Sequence, residues 1–307
     1  MQGLKRTIMI IFAIVVLFSF VSCKEHGDNN SNGITVVATL FPQYDFARAI
    51  LGEKGSAVLL LTPGADSHNF ELTPSDIRTI NNSDLFLYIG PDMEIWVDSV
   101  IGSINNKVKV ISLSKEIGIE DNDAHDGHLH TTDPHIWTNP KNAIQMLGVV
   151  YNNICDIDPD NSDYYKANYE TYLNALKEVD EDFFDISEKS NGACLYFSGK
   201  FAFSHFVEEY GFSYNAPFNS CSDVQIESLA AVNKLISDIK AEGIKYIFYE
   251  ELSSSSILET IVSETGVTPL LLHSTHNVSK TEYDNGETYL SLMRGNVKNL
   301  RKALIDG

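Results

Sequence analysis

Four of the nine histidines fall in one short stretch, Asp121–Pro140, which reads DNDAHDGHLHTTDPHIWTNP. His125, His128 and His130 lie in a loose, acidic, Gly-containing run. His135 lies in the tighter block Asp133-Pro134-His135-Ile136-Trp137. Imidazole is the commonest metal-ligating side chain, and tracts rich in His and Asp are metal-binding by composition. A solvated polar loop that happens to carry histidines is the competing reading, and the rest of the chain has to decide between them. Two more histidines are placed where ligands would be needed. His68 and His273 each follow a predicted strand.

The elements that must position these residues are legible in order. Ile34–Leu40 is a β-branched run of the kind that forms a buried parallel strand. Gln43–Leu51 is an amphipathic helix closed by Gly52, and Ala57–Leu61 is a second strand leading to His68. Thr73-Pro74-Ser75-Asp76 opens a helix, with Pro and Asp in its first turn. Asp84–Ile89 and Val108–Leu113 are further strands, and Pro140–Ile154 is a helix after the histidine stretch. Strands separated by helices imply βαβ units and a parallel sheet.

Asn161–Ser190 differs. Tyr165, Tyr169, Tyr172, Leu176, Val179, Phe183 and Ile186 step by alternating fours and threes, with no Gly or Pro among them. That is one helical stripe, about 40 Å long at 1.5 Å per residue. The α/β pattern then restarts. Ala193–Phe197 is a strand, Phe201–Glu209 a helix closed by Gly211, and Gln225–Glu242 a helix. Lys245–Tyr249 is a strand with Glu250 and Glu251 at its carboxyl end. Ser256–Thr265 is helical, Pro269–Leu272 runs into His273, and Thr288–Ile305 is the terminal helix. Two α/β lobes, each a parallel sheet flanked by helices, bridged by one long rigid helix, are expected. Ligands of open α/β sheets bind beyond the carboxyl ends of the strands, so the cleft between the lobes is where the histidines should converge.

The N-terminus sets the compartment. Lys5 and Arg6 precede the apolar run Ile8–Val21, which ends at Ser22-Cys23. This is the layout of a secretory signal, and the run is too short to favour a spanning helix. Cys after Ser22 resembles a lipobox, with Phe20 where Leu is usual. Residues 1–22 are therefore expected to be a lipoprotein signal peptide, Cys23 a lipidated anchor, and 23–32 a flexible polar tether. Residues 33–158 form the first lobe, 159–190 the linking helix and 191–307 the second lobe. With 42 acidic against 22 basic residues and a net charge of −20, nucleic acid and anionic lipid surfaces are excluded as partners. Cys155, Cys194 and Cys221 are too few for a disulfide scaffold, although Cys194 and Cys221 could pair.

At this level of detail the chain resembles the metal-binding solute receptors of bacterial zinc and manganese ABC importers. Pro63-Gly64-Ala65-Asp66-Ser67-His68-Asn69-Phe70-Glu71-Leu72-Thr73-Pro74 is similar to that family's first-ligand motif. Asp133–Pro140 is similar to its second, and Thr288–Met293 with Asn296 to its closing helix. The resemblance covers residues 33–307. It implies a monomeric, lipid-anchored extracytoplasmic receptor that takes a divalent cation into the cleft and delivers it to an ABC permease without chemistry of its own. His68 and His135 match the first two ligands. The third-ligand position falls on Lys200, and a protonated lysine has no lone pair to give. The fourth falls on His273, and Glu250 at a strand end could complete the set. Three imidazoles suit Zn²⁺, whereas Mn²⁺ favours carboxylates; a manganese receptor is the alternative. Lys200 could instead pair with Glu250 or Glu227. His205 reads as a packed or exposed helix histidine, His276 as a loop residue, and Trp137 as packing. His125, His128 and His130 resemble the family's metal-gathering loop. Outside this class, a zinc hydrolase would use the same His₃ set, but no H-E-x-x-H motif is present. A surface adhesin is the third class.

Overall fold

In a computed structural model of the protein, the structure describes residues 33–65, 70–119, 133–218, 229–253 and 255–307. The signal peptide, Cys23 and the tether, His68, the histidines at 125, 128 and 130, Cys221 and Glu227 lie outside them.

The chain forms two parallel sheets of the same topology. The strands β1 (Ile34–Ala38), β2 (Gly55–Leu59), β3 (Leu85–Tyr88) and β4 (Lys109–Ser112) pair in the order β2-β1-β3-β4, all parallel. Their connections carry α1 (Phe41–Leu51), α2 (Pro74–Asn81) and the single turn α3 (Val97–Val100). The short α4 (Leu113–Glu116) follows β4, and α5 (Pro140–Ile157) leads out of this half. In the second half, β5 (Cys194–Tyr196) pairs with β6 (Ser213–Asn215), and β7 (Tyr246–Tyr249) with β8 (Thr268–Leu271), again parallel. One bridge, Phe197 to Phe248, with Ser198 N–H donating to the Phe248 carbonyl at 2.9 Å, joins these pairs into the order β6-β5-β7-β8. Here α7 (Ser204–Tyr210), α8 (Leu229–Glu242), α9 (Ser255–Thr265), α10 (Lys280–Asp284) and α11 (Tyr289–Leu304) complete the fold.

Between the halves runs α6 (Ser162–Ser190), 29 residues long. Its buried residues are Tyr165, Tyr172, Leu176, Val179, Phe183 and Ile186. Tyr169, also on the predicted stripe, stacks on Tyr151 with ring centroids 4.4 Å apart. The stripe packs into a single apolar core that runs from Val36 in β1 to Leu300 in α11. A core shared in this way ties both sheets to the helix. Among the described residues, no helix is long and apolar enough to cross a membrane.

The strand edges differ from the sequence reading by one or two residues, as fraying elements do. The helix opened by Thr73 has a full capping box with Asp76, as its sequence implies. The sequence missed β6. Ser213-Tyr214-Asn215 is mostly exposed and presents no apolar run, so it is a strand only because Cys194–Tyr196 lies beside it.

In each sheet the chain moves one way to its second strand and the other way to its third. The switch point therefore lies between the first and third strands, where a crevice opens at their carboxyl ends. A carboxylate stands at both crevices. In the first sheet Glu94 is buried and accepts from the N–H groups of Ile89 (3.1 Å) and Gly90 (3.0 Å) and from the Thr39 hydroxyl. In the second sheet Glu250 accepts from Ala202 N–H at 3.1 Å.

One buried group ties the halves directly. Asp45 in α1, 1% exposed, accepts from Tyr172 Oη of α6 at 2.6 Å, from Tyr289 N–H of α11 at 2.9 Å, and from Arg48 at 2.5 Å. The Asp45→Ala variant strands two buried donors, and is expected to lose about 2–5 kcal/mol of stability, measurable by urea unfolding. A loss below 1 kcal/mol would mean that this junction is not holding the halves together.

The second prediction concerns pH. Burial pushes the Glu94 carboxyl from 4.5 up to about 7, against the donors that favour its charge. The unfolded chain thus releases this proton first. The stabilisation is complete below pH 4.5 and is lost as pH rises through about 7, a change of about 3 kcal/mol. Urea stability should fall by this amount between pH 4 and 8 in the wild type relative to Glu94→Gln. Equal pH dependence in both proteins would show that Glu94 ionises normally.

Candidate metal-binding site

The site is made by two loops from opposite halves of the chain. The first carries Asp133 and His135, immediately before a 3₁₀ turn over Ile136–Thr138 and the start of α5. Pro140 begins that helix, and Asn139 caps it by accepting Lys141 N–H at 2.8 Å. The second loop is His273–Val278, which follows β8.

Trp137 fastens the loops together. Its ring is fully buried, its Nε1–H donates to the Ser274 carbonyl at 2.8 Å, and its own carbonyl accepts from Tyr289 Oη at 2.6 Å. Its indole lies 5.3 Å, centroid to centroid, from both His135 and His276. The packing role read from sequence thus includes a hydrogen bond across the site.

The consequence is a histidine pair. His135 Nε2 lies 3.2 Å from His276 Nε2. Two nitrogens bound to one tetrahedral zinc stand about 3.3–3.4 Å apart, given Zn–N bonds of about 2.0–2.1 Å. The pair is therefore spaced as two corners of such a site. Asp133 supplies the supporting contact. Its carboxylate meets His135 Nδ1 and also accepts His135 N–H at 3.0 Å and Ser204 N–H at 3.2 Å. Burial opposes its charge, but His135 and these N–H groups outweigh burial and hold the Asp133 carboxyl well below the usual carboxylate range. A carboxylate on Nδ1 fixes the proton there and leaves the Nε2 lone pair facing the site. His135 is 2% exposed, whereas His276 is partly open to solvent.

His276 read as a loop residue from sequence because nothing local marks it. Only its pairing with His135 across the halves gives it this position. His205, five residues past Lys200, donates from Nε2 to the Asp133 carbonyl at 2.7 Å, which places it in support of the first loop.

The residues singled out from sequence separate. His68 lies outside the described residues, but the segment leading to it is tied to the second loop. Asn277 donates to the carbonyls of Thr62 (2.9 Å) and Ala65 (2.8 Å), and Gly64 N–H donates to the Val278 carbonyl at 2.7 Å. His273 is buried beside the pair rather than in it. Asn296 of α11 brackets its backbone, accepting His273 N–H at 2.7 Å and donating to its carbonyl at 2.8 Å. Its Nδ1 accepts Thr275 N–H at 2.9 Å. Burial favours a neutral ring, but the Glu251 and Glu282 carboxylates, 3.4 and 3.6 Å away, outweigh burial and raise the His273 pKa. The Thr275 N–H pulls the other way, because only an unprotonated nitrogen can accept it.

Glu250 is partly buried at the switch point. Burial and the neighbouring charge of Glu251 raise its pKa well above the ordinary value, and the Ala202 N–H, with a smaller contribution from the charge of Lys200, offsets part of this. Glu251 is fully engaged, accepting Ser274 N–H at 2.7 Å and Ser274 Oγ at 2.5 Å. Among the described residues, no group of three or more His, Cys, Asp or Glu side chains is gathered closely enough to hold an ion. The described donors come as the His135–His276 pair, while Glu250 is held by Ala202 N–H, two residues before the Ser204 N–H that bonds to Asp133.

Comparison with known proteins gives a consistent picture. The chain is 31% identical over 304 residues to the high-affinity zinc uptake system protein ZnuA of Bacillus subtilis (strain 168), covering 96% of this chain and 95% of that one. It is 27% identical over 322 residues to the zinc-binding protein AdcA of Streptococcus pyogenes, covering 97% of this chain but only 61% of that longer protein. The crystal structure of the metal-dependent lipoprotein YcdH from Bacillus subtilis superimposes with a TM-score of 0.74 at 31% identity, over 89% of this chain and 99% of that one. The family model described as zinc-uptake complex component A, periplasmic (ZnuA), matches residues 36–303. With the two-sheet fold and the paired loops already in place, this match over nearly the whole chain makes the protein a member of the ZnuA zinc-uptake family.

Proposed function

We propose that this protein is an extracytoplasmic receptor that captures Zn²⁺ between its two α/β halves and delivers it to an ABC permease. The observation that carries this reading is the His135–His276 pair, with its nitrogens 3.2 Å apart and Asp133 behind His135. Family membership and the zinc-uptake relatives support it. Imidazole donors favour zinc over manganese.

In this reading His135 and His276 hold the ion from opposite halves, and His68 joins them from the segment anchored by Asn277. Glu250 is the carboxylate that completes the set. It must release its proton when it binds, so uptake is coupled to proton release. Lys200, at the position where the resemblance implies a third ligand, offsets the Glu250 charge before loading. The lobes are residues 33–158 and 191–307, joined by 159–190. A shared core along α6 restricts opening to small adjustments. The chain acts as a monomer, anchored through lipid at Cys23, with His125, His128 and His130 gathering metal ahead of the site. It is a carrier rather than a catalyst.

His135→Ala and His276→Ala should each lower zinc affinity by more than about 100-fold, beyond the loss that a supporting contact alone would cause. Competition titration against a chromophoric chelator measures this, and the wild type should prefer Zn²⁺ to Mn²⁺. Wild-type affinity in both variants would refute the site. Ester turnover by the zinc-loaded protein that disappears in His135→Ala would replace the receptor reading with a hydrolase.

A further inference from the structure

Thr275 adopts a conformation that its side chain disfavours. Its φ is 58°, in the left-handed region where a β-branched residue clashes with its own backbone. It is fully buried, and its Oγ1 has no hydrogen-bond partner among the described residues. The side chain therefore contributes no polar contact that would account for the turn.

The contact that does so comes from His273. Its Nδ1 accepts the N–H of Thr275, two residues along, at 2.9 Å. This is the ring that Asn and Asp close in an Asx-turn, with an imidazole nitrogen in place of the carboxamide or carboxylate oxygen. The turn is braced on both sides. Asn296 brackets the His273 backbone, and Glu251 takes both the N–H and the hydroxyl of Ser274. One residue beyond Thr275, the side chain of His276 reaches His135.

The same geometry bears on whether His273 is itself a ligand. An Nδ1 that accepts a peptide N–H has committed its lone pair, and the proton of the neutral ring then sits on Nε2. Nε2 is buried and, among the described residues, faces the Glu282 carboxylate, with Oε1 at 3.6 Å. Neither nitrogen is left with a lone pair for a cation.

We infer that His273 is a positioning residue: its imidazole folds the left-handed Thr275 turn that delivers His276 to His135, and it does not touch the metal. This inference rests on the zinc-site reading above and assigns a role within it.

Three variants and one spectrum test it. His273→Ala removes the acceptor and should weaken zinc binding by about 10–100-fold, the usual effect of losing a supporting contact. His273→Asn retains an oxygen that can accept Thr275 N–H and should recover most of that loss. Thr275→Gly added to His273→Ala should recover part of it, because glycine adopts the left-handed conformation without a clash. Co²⁺ substituted for Zn²⁺ reports the ligand set through its visible absorption, and the His273→Asn spectrum should match the wild type. A His273→Asn variant as weak as His273→Ala, with Co²⁺ bands shifted by loss of a nitrogen donor, would overturn the inference. So would wild-type affinity in His273→Ala. Should the variants fail to fold, ¹⁵N-histidine NMR of the zinc-loaded wild type decides. His273 should appear as an unmetallated ring, and a zinc-bound His273 nitrogen refutes the role. His135→Ala serves as the control: if it binds zinc normally, the site itself is misplaced, whatever His273 does.

Discussion

The indole N–H of Trp137, donated to the Ser274 carbonyl at 2.8 Å, is the contact on which the functional geometry depends. It joins a loop from the first half of the chain to a loop from the second at the place where both present a histidine. A buried indole has one donor and must find an acceptor for it. Because the acceptor lies in the other half, burying Trp137 also sets the separation of His135 and His276. The Tyr289 hydroxyl on the Trp137 carbonyl extends the tie to the closing helix. Asp45 repeats it lower down, between α1, α6 and α11. The two halves are thus joined by buried, directional contacts as well as by a shared apolar core.

A joint of this kind suits a carrier of a small, hard-to-desolvate ion. A metal site needs its donors held within a few tenths of an ångström, and the supporting contacts do this as much as the ligands themselves. Here Asp133 orients His135, Asn277 holds the segment that leads to His68, and Glu251 and Asn296 hold the loop that carries His276. His276 is partly exposed, whereas His135 is buried.

The repeated sheet order explains where the carboxylates stand. Both halves place a crevice between first and third strands, and both fill it with a glutamate, Glu94 in one and Glu250 in the other. Their surroundings differ. Glu94 is enclosed by three donors from its own half. Glu250 has one backbone donor and lies among the charges of Glu251, Asp133 and Lys200. The first is a structural plug; the second stands where burial and like charge raise its pKa.

Much of this was legible in the residues alone. Strand and helix order, the two α/β halves and the long helix follow from local periodicity, and His135 stands out by its motif, because each depends on neighbours within a few positions. The capping box at Thr73 and the stripe on α6 are of the same kind. The partner of His135 is not. His276 and His273 are equally plausible in sequence, three residues apart after the same strand. What separates them is a left-handed turn at Thr275, whose N–H bonds to His273 Nδ1, in a loop held by Glu251, Asn296 and Trp137, far along the chain. Sequence pointed to histidines from both halves as the candidates for a site between them. Only the tertiary structure decided which imidazole faces the other half, because that depends on which nitrogen lone pairs the fold has already used.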